Sequence, residues 1–234
     1  MKSRYDPSSF TSSMTKGEYI ATLFWLPMHI WLLPLLLFSL PQLREYSDAT
    51  VNLIAYAIGG IYILLAAGRF LRRDFDPLCD RPFFILLQVL ACYGMMLALN
   101  LLLNTVLLAA LPEENPNNAA VVDMAFTEYG KTAALAIFLA PLVEEPIFRG
   151  GIFGLLRKHN RILAYLVSML SFSIYHVWGY AAADPIYWLY LLQYLPVSWL
   201  LCRCYERCNS IWGSIFLHML INGISIRALS ALAG

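Results

Sequence analysis

Long apolar stretches recur along this chain of 234 residues and leave it few ways to fold. A helix needs about 20 apolar residues to cross the hydrocarbon of a bilayer, and several stretches reach that length. Charged residues make up only 13% of the sequence, against about 25% in soluble domains. We therefore predict an all-α fold, a polytopic transmembrane helix bundle that forms one membrane domain over residues 1–234.

The basic residues between the apolar stretches predict how the chain is oriented. Lys and Arg concentrate in the N-terminal tail and after the second, fourth and sixth spans, with Arg44 and Arg227 as exceptions. Because cytoplasmic loops carry an excess of positive charge, we expect the N-terminus in the cytoplasm. The seven predicted spans are 19–40, 50–68, 83–111, 131–157, 161–180, 185–202 and 211–230.

Two other features narrow the class of protein. A net charge of +1 gives no indication of nucleic-acid binding. Five cysteines, an odd number without a regular pattern, argue against a disulfide scaffold. Cys202, Cys204 and Cys208 lie close in sequence and could bind zinc, but a fourth ligand is not evident near them.

A polar segment at about 112–130 is predicted to be a loop that divides the chain.

Three charged residues interrupt the fourth apolar stretch, where each costs about 2.5–3.5 kcal/mol on insertion scales. Glu145 and Arg149 are four residues apart, so on a helix they share one face and can form an ion pair. Glu144 lies about 100° further round the helix and can face a cavity instead. Pro146 removes a backbone donor and is expected to loosen the helix at this point.

Two later spans each carry a histidine with a partner one helical turn away. Phe172 and His176 share a face in the fifth span, and His218 and Asn222 share a face in the seventh. An imidazole nitrogen and an amide NH2 that converge could stabilise an oxyanion. A lone histidine such as His176 more often serves packing or hydrogen bonding, whereas the His218–Asn222 pair would equally suit a polar clamp between helices.

The three motifs EExxxR, FxxxH and HxxxN, in this order and all in apolar helices, resemble the CPBP family. This family comprises CAAX-prenyl-protease-2-like and bacteriocin-processing (Abi) membrane proteins. An FRG tripeptide after the two glutamates adds to the resemblance. The resemblance covers about residues 130–226, the expected catalytic core, whereas the spans within 1–111 carry no motif.

The resemblance implies an intramembrane endopeptidase of the Rce1 type that uses glutamate and needs no cofactor. Its partners would be the lipid bilayer and a hydrophobic peptide or a membrane protein as substrate. The compact size suggests a bacterial cell membrane, so prenylated substrates are not carried over. By the resemblance, a glutamate and a histidine activate water, a histidine and an asparagine hold the oxyanion, and other residues support them. The catalytic residues so assigned are Glu144, His176, His218 and Asn222, and the supporting ones are Glu145, Arg149 and Phe172.

Two alternative functions would use some of the same buried residues. Glu144, His176 and His218 are of the types that bind zinc, so the same residues could serve a zinc-dependent membrane protease. A membrane scaffold, a bacteriocin self-immunity protein or a proton-linked transporter could also bury such groups. A transporter of that kind is expected to contain an inverted repeat, and none is evident in the sequence.

Overall fold

The computed structural model describes residues 10–110 and 115–232, and within these ranges it is helical with no strand. The predicted all-α fold is therefore confirmed. Lys2 and Arg4 of the N-terminal tail lie outside the described residues. The α-helices are α1 (Lys16–Pro27), α2 (Leu33–Ser39), α3 (Asp48–Arg73), α4 (Asp76–Asp80), α5 (Pro82–Ala110), α6 (Pro116–Ala133), α7 (Ala140–Glu145), α8 (Gly154–Arg157), α9 (Arg161–Ala183), α10 (Leu191–Cys208) and α11 (Ile211–Leu232).

Shorter helical turns join several of these helices into longer segments. Three of them are π-helical, Met28–Leu32, Ala134–Leu139 and Pro146–Phe153. Two are 3₁₀-helical, Pro41–Leu43 and Pro185–Tyr190. The joined segments match the seven predicted spans in number and order over the described part of the chain.

Among the described residues, five segments are long and apolar enough to cross a membrane. Two further segments, 116–157 and Leu191–Cys208, complete the seven but are not among these five. The chain is thus a multi-pass helical membrane protein. The five apolar segments are Lys16–Ser39, Asp48–Asp80, Pro82–Leu103, Arg161–Ala183 and Ile211–Ala228.

The predicted loop at about 112–130 is wrong for most of its length, because α6 begins at Pro116. The Asn115 side chain accepts hydrogen bonds from the amides of Asn117 and Asn118, at 3.0 and 3.4 Å, and so caps the helix. A proline at the first helical position needs no amide partner there. The polar residues that suggested a loop are therefore a helix start, and residues 112–114 lie outside the described ranges.

The two glutamates lie on a short helix between two π-helical turns. Pro146 opens the second of these turns, Pro146–Phe153, as expected from its missing amide. Every residue of 143–154 is buried. The surrounding contacts come from α1, α3, α9, α10 and α11. This segment is therefore the centre of the bundle.

Glycines allow the closest approach between neighbouring segments. A Cβ on Gly150 would lie 2.9 Å from Met14 Cε, and one on Gly154 would lie 2.9 Å from Ser12 Oγ. Both glycines therefore face the chain just before α1. At the start of α11, a Cβ on Gly213 would lie 2.6 Å from Cys208 Sγ and 2.9 Å from Cys208 Cβ.

Replacement of Gly213 by alanine is expected to lower the free energy of unfolding by about 1–3 kcal/mol, because the added methyl overpacks a buried turn. The matched control is Gly179→Ala in α9, where the added Cβ would meet open space. The control should gain about 0.5–1 kcal/mol from helix propensity. Reversible unfolding in detergent micelles measures both, and equal stability of the two variants would contradict the packing argument.

One end of the bundle is held by a buried carboxylate with several donors. Glu206 accepts hydrogen bonds from Arg157 at 2.7 Å, from Arg161 at 2.8 Å and from Tyr165 at 2.9 Å. These donors lie on α8 and α9, whereas Glu206 lies on α10. A carboxylate buried with this many partners is fully compensated, so this cluster fixes the helices around the central segment.

Candidate active site

Glu145 and Arg149 form the predicted ion pair, which is confirmed at 3.0 Å between Arg149 Nη1 and Glu145 Oε1. Both side chains are 0% exposed. Arg149 also donates to Ser198 Oγ at 3.0 Å. Its guanidinium carbon lies 4.1 Å from the centre of the Phe172 ring, a cation–π contact. Phe172 thus supports the arginine as well as its own neighbour His176.

Glu145 has two further donors, and both come from α11. The Ser214 hydroxyl donates to Oε2, and His218 Nδ1 donates to Oε1 at 2.8 Å. A carboxylate only accepts hydrogen bonds, so the proton of this contact is on His218 Nδ1. Glu145 is therefore committed to holding other groups, as its spacing from Arg149 indicated.

Glu144 has a different set of contacts. Its Oε1 accepts a hydrogen bond from the Tyr56 hydroxyl at 2.7 Å. Its Oε2 is buried and has no hydrogen-bond partner among the described residues. An ionised carboxylate oxygen in this position can still accept a proton or a hydrogen bond. The two adjacent glutamates therefore divide as predicted, one paired and one with a free oxygen.

A cavity of about 830 Å³ lies beside Glu144. Its volume is in the range of about 300–1,000 Å³ typical of ligand sites. All four predicted catalytic residues line it, together with Phe172, whereas Glu145 and Arg149 do not. Other polar side chains also line its wall. Those used below are His29, Tyr56, Tyr175 and Tyr194.

His176 is oriented by its own helix and by neighbouring rings. Its Nδ1 lies 2.9 Å from the Phe172 carbonyl oxygen. Because a carbonyl only accepts, Nδ1 carries the proton and Nε2 of the neutral ring is an acceptor. The ring stacks on Tyr194 with 4.6 Å between centroids. The imidazole is therefore held in one tautomer.

Asn222 contacts the π-helical turn that precedes the glutamates. Its Nδ2 donates to the Ala136 carbonyl oxygen at 2.7 Å. This hydrogen bond uses one of the two amide hydrogens and leaves the other for a further acceptor. His218 and Asn222 both line the cavity, as their shared helical face requires.

Sequence reasoning missed several side chains that support this site. These side chains come from four different helices: Tyr56 on α3, Tyr175 on α9, Ser198 on α10 and Ser214 on α11. Only Ser214 had a local signal, since it precedes His218 by four residues and so shares its face.

The residue types for a zinc site are present, but their arrangement does not fit one. Within the described ranges, no group of three His, Cys, Asp or Glu side chains is arranged to hold a metal ion. The thiols of Cys204 and Cys208 lie 3.9 Å apart, and Cys92 also contacts Cys204, but these described cysteines are not arranged to hold a metal ion. We therefore derive no reaction step through zinc.

Comparison with known proteins bears on this site directly. Residues 129–224 match the family model described as "Type II CAAX prenyl endopeptidase Rce1-like". This range contains all seven residues singled out from the three motifs. No solved structure matches the chain significantly.

Curated bacterial proteins are also similar to the chain. UPF0177 protein YaiH of Lactococcus lactis subsp. lactis (strain IL1403) is 35% identical over 85 residues, which is 36% of this chain and 32% of YaiH. UPF0177 protein YvdC of the same strain is 22% identical over 207 residues, which is 82% of this chain and 74% of YvdC. The candidate membrane peptidase YdiL of Bacillus subtilis (strain 168) is 32% identical over 110 residues, which is 47% of this chain and 41% of YdiL. The matches thus span about a third of YaiH and two fifths of YdiL. The resemblance inferred from the three motifs is confirmed, because residues 129–224 match the Rce1-like family model.

Proposed function

We propose that this protein is a membrane endopeptidase that hydrolyses peptide bonds in hydrophobic or membrane-associated segments. The observation that carries the proposal is the unpartnered Oε2 of Glu144, a buried residue that lines a cavity together with two histidines. The family match and the name of YdiL support the same activity. The class of substrate and the position of the cut within it are part of this proposal.

In the proposed mechanism, Glu144 is the general base. Its Oε2 accepts a proton from a water molecule while the water oxygen forms a bond to the peptide carbonyl carbon. His176 Nε2 accepts a hydrogen bond from the same water and orients it. The carbonyl electron pair moves to oxygen and produces a tetrahedral oxyanion. When the intermediate collapses, the C–N bond breaks and the leaving amine takes the proton from Glu144.

The oxyanion would be stabilised by His218 and Asn222. Asn222 has one amide hydrogen available, whereas His218 Nδ1 already donates to Glu145. His218 can therefore donate through Nε2 only as the doubly protonated ring. In that state Glu144 and Glu145 are balanced by Arg149 and the imidazolium, so the site has no net charge. Such balance is what a membrane interior favours.

The direct test is a search for new peptide ends. Purified protein in lipid nanodiscs is incubated with detergent-solubilised bacterial membrane proteins, and mass spectrometry identifies the N-termini that appear. We expect cuts within or beside apolar segments with wild-type protein and none with Glu144→Gln. If wild-type protein gives no ends beyond those of a sample without it, the peptidase proposal fails and the scaffold alternative is favoured.

Metal dependence is tested in the same assay. We expect cleavage to persist after chelator treatment, because the proposed base and oxyanion donors are side chains of the protein. Elemental analysis of the purified protein should then show zinc far below one ion per chain. Loss of cleavage together with loss of stoichiometric zinc, and recovery of both on zinc addition, would overturn the metal-free mechanism.

A further inference from the structure

Glu144 is the end of a chain of hydrogen bonds that crosses three helical segments. The Tyr56 hydroxyl on α3 donates to Glu144 Oε1 at 2.7 Å. The Tyr175 hydroxyl on α9 lies 2.6 Å from the Tyr56 hydroxyl. His29 Nε2, in the π-helical turn Met28–Leu32, lies 3.2 Å from the Tyr175 hydroxyl.

Counting hydrogens fixes the direction of this chain. Each tyrosine has one hydroxyl hydrogen, and a carboxylate has none to give. Tyr56 gives its hydrogen to Glu144, so Tyr175 must donate to Tyr56. The hydrogen between Tyr175 and His29 must then come from His29 Nε2. His29 is therefore the Nε2–H tautomer when Glu144 is ionised, and its buried Nδ1 has no partner among the described residues.

The three rings are held by packing as well as by hydrogen bonds. His29 meets the Tyr56 ring edge to face, with 4.7 Å between centroids. Tyr175 lies 5.6 Å from Phe148 and 5.0 Å from His176 by the same measure. Rings fixed in this way can hold a hydroxyl hydrogen in one direction.

The turn that carries His29 follows from the sequence before it. Pro27 ends α1 within a longer helical segment, and a proline there removes a backbone donor. The next residues form a π-helical turn, a feature often found at functional sites. His29 is only 4% exposed.

Two members of this chain, His29 and Tyr56, lie outside residues 129–224, which match the family model. We propose that His29, Tyr175 and Tyr56 are positioning residues that hold Glu144 Oε1 and thereby keep Oε2 directed to the cavity. This inference rests on the proposed function, in which Oε2 takes a proton from water. The N-terminal spans would then contribute residues that position the general base.

Kinetics of Tyr56→Phe test the proposal, with a synthetic peptide spanning a cleavage site mapped for wild-type protein as the probe. We expect kcat to fall at least tenfold and KM to stay within about twofold, because the base loses its orientation while the cavity keeps its shape. The matched control is Tyr62→Phe on the same helix, whose hydroxyl donates to the Ala21 carbonyl at 3.0 Å. If kcat for Tyr56→Phe equals that of this control, Tyr56 does not position the base.

A second measurement needs no substrate. The chain has four histidines, so ¹⁵N NMR of histidine-labelled protein can identify the His29 signals as those absent from His29→Phe. We expect Nε2–H in wild-type protein and in Tyr62→Phe. In Tyr56→Phe the Tyr175 hydroxyl becomes free to donate to His29 Nε2, so Nδ1–H should appear.

The two measurements separate the failure of this inference from the failure of the proposed function. An Nδ1–H ring in wild-type protein would overturn the hydrogen-bonded chain, whatever the enzyme does. The expected change of tautomer in a protein that cleaves nothing would leave the chain standing and remove Glu144 from catalysis.

Discussion

The Glu144→Gln protein is expected to fold as wild type does and to cleave its peptide substrate at least about 1,000-fold more slowly, within the range of about 10²–10⁴ for loss of a general base. Glutamine has nearly the same shape and can still accept the Tyr56 hydrogen bond. It cannot take a proton from water at neutral pH. Initial rates of peptide cleavage by purified protein measure the effect.

The matched control for this variant is Glu45→Gln. It removes an exposed carboxylate that is distant in sequence from the three motifs. The control should cleave at the wild-type rate. Thermal unfolding of both variants in the same detergent establishes that the fold is intact. A purified Glu144→Gln protein with full activity would remove this residue from the mechanism.

Arg149→Met is expected to lower the free energy of unfolding by about 3–5 kcal/mol, because it leaves Glu145 as an uncompensated charge in a buried site. Both members of the pair are 0% exposed, and Arg149 also holds Ser198 on α10. Methionine fills much of the same volume without the guanidinium. Unfolding by denaturant in mixed micelles measures the loss.

Lys131→Met is the matched control for Arg149→Met. Lys131 pairs with Glu128 at 2.9 Å, three residues away, but these side chains are 44% and 28% exposed. An exposed pair contributes about 0.2–1 kcal/mol, so the control should lose far less stability. Equal losses in the two variants would mean that the Glu145–Arg149 pair does not stabilise the fold.

The division between the two glutamates could be predicted from the sequence because it depends on one helix only. A separation of four residues joins Glu145 to Arg149, and the helical rotation directs Glu144 elsewhere. The partners beyond that helix could not be predicted. Tyr56 reaches Glu144 across 88 positions in the chain, and such tertiary contacts leave no periodic signal in either helix.

The segment that begins at Pro116 shows a different limit of sequence reasoning. Asparagine and proline there suggested a loop, although the same residue types favour helix starts. Local chemistry alone does not distinguish these two uses. The π-helical turns on either side of the glutamates were foreseen only where Pro146 interrupts the helix. Ala134–Leu139 contains no proline or glycine that would have indicated the other turn.

The buried central segment also bears on how this protein is made. Its two glutamates are synthesised before Ser214 and His218, so the partners on α11 arrive later. During that interval Arg149, one turn away on the same helix, is the neutralising group that the newly inserted segment brings with it. The intrahelical pair thus precedes the tertiary contacts, and the site is completed only when α11 joins the bundle.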